Sequence, residues 1–412
     1  MGSIELGGQL FLDGRASDPR ELGLMNGAPS VAEKCVTYES DTFLDFPQIR
    51  WSLSHMRELR PTLNVRRGGS VSSPLEYEDM SETIDALTFT DMNGRVRTFA
   101  DALFDTYTDG FLVLRRGRII YERYFGALQR HLPHACHSIT KSYAGTLAAS
   151  FVHEGVLDDQ NTILSYLPEL RGTAWEDATL RQVMDMRTGL NYSEEYSDSD
   201  ASVWKYARAS GWRPRSGNYD GPKTIYDYLK TITKNGAHGK ALAYKTVNTE
   251  VMTWVLERVT GRAFADLLHE RLWAPLGCEE DGYILTDAAG TAIAGAGLSA
   301  TLRDMARFGE LMRREGAWGG KQLIPASVVQ DVQQHTDLTR SVNADEYRSM
   351  WWGAPKEMGG FLAAGIHGQR LYVLPDHELL IARFASHPIA SASASEPIIA
   401  PQMVALTRLL RE

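Results

Sequence analysis

The sequence predicts an α/β (α+β) protein in which an antiparallel sheet flanked by helices joins a mostly helical lobe. Three observations predict it. Strand-like runs lie near both ends of the body, at Phe111-Leu-Val-Leu114 and Arg118-Ile-Ile-Tyr121, then at Gln369-Arg-Leu-Tyr-Val373 and Leu379-Leu-Ile-Ala382. Helical periodicity fills the stretch between them. The chain has 412 residues, 43% hydrophobic and 23% charged, enough for one large or two closely packed domains.

The elements follow in order. Residues 1 to about 80 are rich in Gly, Pro, Ser and charge, and read as an irregular arm wrapped on the body. The runs 111–114 and 118–121 flank Arg-Arg-Gly, the pattern of a β-hairpin. From Ser138, the apolar residues Ile139, Tyr143, Ala144, Leu147, Ala148, Phe151 and Val152 recur at three- and four-residue spacing, a buried helix stopped by Gly155. Asn248 is placed to cap a helix over Thr249–Thr260, with Gly261 just past its end. Further helices are expected over Asp304–Glu315 and Ile398–Leu410, with Pro375-Asp376-His377 splitting the last two strands.

The reading divides the chain into three parts. Residues 1–137 hold the arm and the first part of the α/β lobe, 138–290 the mostly helical lobe, and 291–412 the second part of the α/β lobe. The terminal parts share one sheet, and the cleft between lobes is the expected ligand site.

Composition excludes several classes. A net charge of −9 without a basic run argues against nucleic acid or an acidic membrane as partner. Cys35, Cys136 and Cys278 form neither a disulfide framework nor a zinc pattern. The first residues, MGSIELGGQLFLDG, lack a signal-peptide pattern, and no apolar stretch is long enough to span a membrane, so a cytoplasmic protein is expected. Gly-x-Ser-x-Gly, His-Glu-x-x-His and P-loop signatures are absent.

Ser-x-x-Lys occurs twice, at Ser138-Ile-Thr-Lys141 and Ser202-Val-Trp-Lys205. Setting separates them. Ser138 stands at the first turn of an apolar helix, where residues three apart share a face and Ser Oγ can meet Lys Nζ. The helix N-terminus favours developing negative charge, and burial lowers a lysine's pKa so that it serves as a base. Ser202 follows an Asp/Ser-rich loop and reads as a solvated helix start. Tyr244 precedes the capped helix and is placed to relay a proton beside a Ser–Lys pair. Tyr192 and Tyr196 lie in the polar loop Tyr-Ser-Glu-Glu-Tyr. Gly365-Ile-His-Gly-Gln369 leads into a strand whose edge can donate an N–H to an oxyanion.

These pieces, with Trp51-Ser-Leu-Ser-His55, Tyr107-Thr-Asp-Gly-Phe-Leu-Val-Leu114, Ser210-Gly-Trp212 and Glu257-Arg-Val-Thr-Gly261, resemble the class C β-lactamase and penicillin-recognising serine hydrolases. The closest resemblance is to the 6-aminohexanoate-dimer hydrolase family and the family VIII-type carboxylesterases. The resemblance implies a class C β-lactamase-like fold and cleavage of small esters or amides through an acyl-enzyme. It implies Ser138 as nucleophile, Lys141 as base and Tyr244 as proton relay. The oxyanion would be held by the N–H groups of Ser138 and Ile366. Tyr196, Ala207, Gly365 and His367 would contact the substrate. No metal or cofactor is implied, and the chain would act as a monomer or homodimer. Acyl transfer to a small acceptor and a non-catalytic sensor on the same fold stand as alternatives.

Two departures from the family pattern shape the expected substrate. Ala363-Ala364-Gly365 stands where β-lactamases carry Lys-Thr-Gly, which removes the cation that holds a β-lactam carboxylate. Ala207 supplies no acid to pair a substrate ammonium, so neutral acyl esters are expected to be favoured over amine-bearing amides.

Overall fold

A computed structural model describes residues 2–411 apart from 29, 70, 338 and 340–345. Its frame is a seven-stranded antiparallel sheet drawn from both ends of the body. In chain order the strands are β1 (Thr108–Arg115), β2 (Arg118–Tyr124), β3 (Tyr347–Arg348), β4 (Trp351–Gly353), β5 (Phe361–Gly365), β6 (Gln369–Leu374) and β7 (Leu379–Ala385). Their spatial order is β3-β4-β5-β6-β7-β1-β2, so β7 pairs with β1 across more than 260 residues of sequence, with Leu380 opposite Leu114. The hairpin β1–β2 turns through Arg116 (φ 54°) and Gly117 (φ 79°), the left-handed pair that a two-residue turn between twisted strands requires.

Both faces of the sheet are covered, which is why these strands read as continuous apolar runs. Alternation assigns the faces. Leu112, Leu114, Leu371, Val373, Leu380 and Ala382 join the larger core, while Phe111, Val113, Tyr372, Leu374, Leu379 and Ile381 join a second one. The helices used below are α1 (Ile139–His153), α2 (Ser202–Ala209), α3 (Val247–Thr260), α4 (Leu302–Arg313) and α5 (Glu396–Arg411). Helices α1 and α4 pack on the first face, and α5 closes the second with Ile399, Met403, Leu406 and Leu410.

Three expectations shift in detail. Asn248 does not cap α3. The helix starts two residues earlier than expected, at Val247, with Thr246 before it, and the Asn248 side chain accepts from Thr188 Oγ1 at 2.9 Å inside the first turn. The α4 helix begins at Leu302 because the Thr301 hydroxyl caps it by accepting from the Asp304 N–H. The N-terminal arm is more ordered than its composition suggests. It holds a hairpin (Ser3–Leu6 with Gln9–Leu12), and Thr62–Val65 edges a four-stranded second sheet. Among the described residues, no helix is long and apolar enough to cross a membrane.

Candidate active site

The second sheet delivers Ser138. Its strand His134–Ala135 pairs with Leu298–Ala300, and Cys136 N donates to Leu298 O at 2.8 Å. His137 then takes a left-handed turn (φ 47°), and Ser138 stands at the N-terminus of α1. One helical turn on, Lys141 Nζ lies 2.8 Å from Ser138 Oγ and 2.7 Å from Gly295 O. Lys141 is buried, and burial lowers its pKa to about 8, against the pull of the Glu194 and Glu250 carboxylates.

The Gly295 carbonyl is fixed from behind. Glu250, on α3, accepts from the N–H groups of Gly295 at 2.8 Å and Ala294 at 3.1 Å, and from the Tyr206 hydroxyl. Burial pushes the Glu250 carboxyl up to about 7, while these donors pull it down. Glu194 accepts from Thr246 N at 2.6 Å, from the Thr246 hydroxyl and from the Tyr196 hydroxyl at 2.7 Å. Both carboxylates thus act on the lysine while tied to the loops around it.

Tyr244 completes the cluster. Its ring centroid lies 5.1 Å from Lys141 Nζ and stacks on Trp352 at 5.4 Å. Burial and the Glu194 charge raise its pKa, and a hydrogen bond to Ser138 lowers it. The phenol is therefore held in its protonated form beside Ser138.

The opposite wall is the end of β5. A Cβ on Gly365 would sit 2.8 Å from Cys136 O and 3.1 Å from His137 Cβ, so only glycine lets the strand edge approach the backbone that leads into Ser138. Among the described residues, the Ser138 and Ile366 N–H groups donate to no other backbone group. Each lies beside a left-handed histidine, His137 and His367, whose rings contact at 5.6 Å. A cavity of about 340 Å³ opens on this cluster, lined by Ser138, Tyr196, Tyr244, Trp352, Gly365 and Ile366 together with Leu362, Ala364, Arg370, Ser391 and Glu396. Its size suits a small organic molecule.

A beta-lactamase family profile matches residues 98–398. The chain belongs to the beta-lactamase family. Within that family it is 32% identical over 357 residues to the 6-aminohexanoate-dimer hydrolase of Paenarthrobacter ureafaciens, an alignment covering 84% of this chain and 88% of the relative. A Bacillus anthracis structure provisionally assigned as a 6-aminohexanoate-dimer hydrolase superposes with a TM-score of 0.83 at 31% identity, covering 89% of this chain and 96% of that one. A family VIII carboxylesterase superposes with a TM-score of 0.53 at 15% identity over 74% of this chain and 95% of that one, a likeness of fold alone. The chain is a beta-lactamase-family serine hydrolase.

Against that family's pattern, the structure brings Ser138, Lys141, Tyr244, Tyr196, Gly365 and Ile366 to one cavity. It does not bring Ala207 there. That residue is fully buried on α2 and is not part of the cavity wall, because α2 packs this face into the core. His367 also lies behind the cavity wall, with Nδ1 2.7 Å from His387 O, and burial lowers its pKa to about 4. Ser202 is held through its backbone to Ser193 Oγ at 3.1 Å, and Lys205 is exposed. Sequence reasoning passed over Glu250, Gly295, Trp352, Arg370 and Glu396. None stands in a recognisable motif. The one available signal was Glu250, the one charged residue of α3 before Glu257.

Proposed function

We propose that this protein hydrolyses small carboxylic esters or linear amides through an acyl-enzyme on Ser138. The observation that carries this reading is the 2.8 Å contact between Ser138 Oγ and a buried Lys141 whose pKa is lowered to about 8. Neutral Lys141 takes the hydroxyl proton as Oγ attacks the substrate carbonyl. The carbonyl electrons move onto oxygen, and the N–H groups of Ser138 and Ile366 hold the oxyanion. Tyr244, protonated and lining the same cavity as Ser138, passes a proton to the departing alkoxide or amine and is restored from the lysine ammonium. Water, deprotonated by the same pair, then attacks the acyl-enzyme, releasing the acid and Ser138. Tyr196 lies against the cavity and orients the scissile group. The same side chains carry both half-reactions, so no external oxidant or cofactor enters the balance.

Comparison of Ser138→Ala and Ser202→Ala on a short nitrophenyl ester tests this. Loss of turnover by at least a thousandfold in the first, with the second within about twofold of the parent, supports it. Turnover that survives Ser138→Ala overturns it.

A further inference from the structure

Glu250 has no step in the mechanism above, yet it is a buried carboxylate one residue away from the catalytic pair. It lies near the start of α3, and its two oxygens take three donors. Oε1 accepts from Gly295 N at 2.8 Å and from the Tyr206 hydroxyl on α2, and Oε2 accepts from Ala294 N at 3.1 Å. A Cβ on Gly295 would meet Glu250 Oε1 at 2.8 Å and would also strike the methyl group of Thr246, so only glycine seats this loop on the carboxylate. The other end of the same residue faces the reaction. Gly295 O accepts from Lys141 Nζ at 2.7 Å, and Nζ lies 2.8 Å from Ser138 Oγ.

The chemistry of an amine gives that carbonyl a task. Neutral Lys141 has two N–H groups and one lone pair. A carbonyl oxygen cannot donate, so it claims an N–H of Lys141 whether the side chain is charged or neutral. That contact restricts rotation of the amine and leaves the lone pair for the hydroxyl proton of Ser138. A carbonyl free to shift by about 1 Å would release the amine, an error of the size that costs up to about a hundredfold in rate. Glu250 removes that freedom, because it grips two successive N–H groups from a helix that is itself buried. A carboxylate suits the place, since both of its oxygens accept, whereas an amide of the same shape accepts at one end only.

We propose that Glu250 is a positioning residue of the reaction: by gripping the Ala294–Gly295 backbone it aims the Gly295 carbonyl at Lys141 and so keeps the amine lone pair on the Ser138 hydroxyl. The assignment rests on the acyl-enzyme reading above. Glu250 is not among the residues that line the cavity, so it acts on the amine and not on the substrate.

Several titratable groups face Lys141 and Glu250. They are Glu194 and Tyr192 from the loop before α2, Tyr206 from α2, Tyr226 from the helix Ile225–Thr231, and Tyr244 and His137 from the segments that lead into α3 and α1. Of these, the Glu194 and Glu250 carboxylates hold the proton on the lysine. Removing the Glu250 charge therefore lets Lys141 lose its proton at lower pH.

The test is the pH profile of kcat and KM for a short nitrophenyl ester in Glu250→Gln, which keeps the shape and loses one acceptor end. On the plateau above the limb the lysine is neutral in both proteins, so the plateau reports position. There kcat should fall about ten- to a hundredfold with KM within twofold, and fluorophosphonate labelling of Ser138 should slow by the same factor. The limb reports charge, and should move below 8. A residue that only packs would lower the thermal midpoint and leave the limb in place. Gly295→Ala pushes the same loop off the carboxylate from the other side, so it should lower the plateau likewise, and it decides the matter if Glu250→Gln does not fold. A plateau within threefold of the parent in a folded variant, a loss confined to KM, or a Glu250→Gln limb that stays at 8 overturns the assignment while leaving Ser138 chemistry intact. If turnover survives Ser138→Ala, the acyl-enzyme reading fails and this assignment falls with it.

Discussion

Raising the pH from 6 to 9 should carry kcat/KM for a short neutral ester up a single limb centred near 8. The perturbed group is Lys141, whose pKa burial lowers from 10.5 to about 8. As the base it must be neutral, so activity belongs to the fraction above its pKa and is lost as pH falls. At pH 7 roughly one molecule in ten carries the neutral amine, against roughly three in ten thousand for an unshifted lysine, a gain of about 300-fold in reactive base. The same arithmetic gives about 1% neutral at pH 6 and about 90% at pH 9, hence a rise of roughly ninetyfold between them. Measured as kcat/KM, the limb reports the free enzyme. Lys141→Arg should lose at least a hundredfold throughout, since a guanidinium stays protonated at every one of these pH values. A flat profile, a limb near 6.5 that points to a histidine, or an Arg variant within tenfold of the parent would refute the assignment of Lys141 as base.

Three further outcomes follow from the same geometry. Tyr244→Phe keeps the stack on Trp352 but removes the proton relay, so kcat should fall about ten- to a hundredfold, more for anilides than for nitrophenyl esters, with the thermal midpoint within a few degrees. Gly365→Ala would force a Cβ to within 2.8 Å of Cys136 O, so it should cost about 1–3 kcal/mol in denaturant unfolding and most of the activity. Penicillins and cephalosporins should show negligible turnover, because the one guanidinium that lines the cavity among the described residues, Arg370, is already engaged by Glu396 and two carbonyls; efficient nitrocefin hydrolysis at catalytic enzyme concentrations would contradict this.

The sheet and its two faces were legible because period-two and period-3.6 patterns are local. Phe111–Leu114 and Leu379–Ala382 declared themselves as strands, and α1 declared itself by its buried stripe. Ser138 and Lys141 were legible for the same reason, since three residues along a helix fix their juxtaposition. What escaped was whatever tertiary contact decides. Asn248 has the side chain of a cap, but Thr188 takes it, and the helix starts at Val247 instead. Ala207 was assigned to the cleft by resemblance, yet the packing of α2 buries it. Glu250 and Glu396 are single acids on separate helices. They meet their partners only in the folded chain, where α3 meets the Ala294–Gly295 loop and the head of α5 meets Arg370.

The central claim is that Ser138 is an activated nucleophile, and covalent labelling tests it most directly. Incubation with a fluorophosphonate, followed by proteolysis and mass spectrometry, should place one adduct per chain on the peptide holding Ser138. The labelling rate should rise with pH through about 8, following deprotonation of Lys141, and the adduct should vanish in Ser138→Ala. An unlabelled protein, or an adduct on Ser202 that survives Ser138→Ala, would contradict the account.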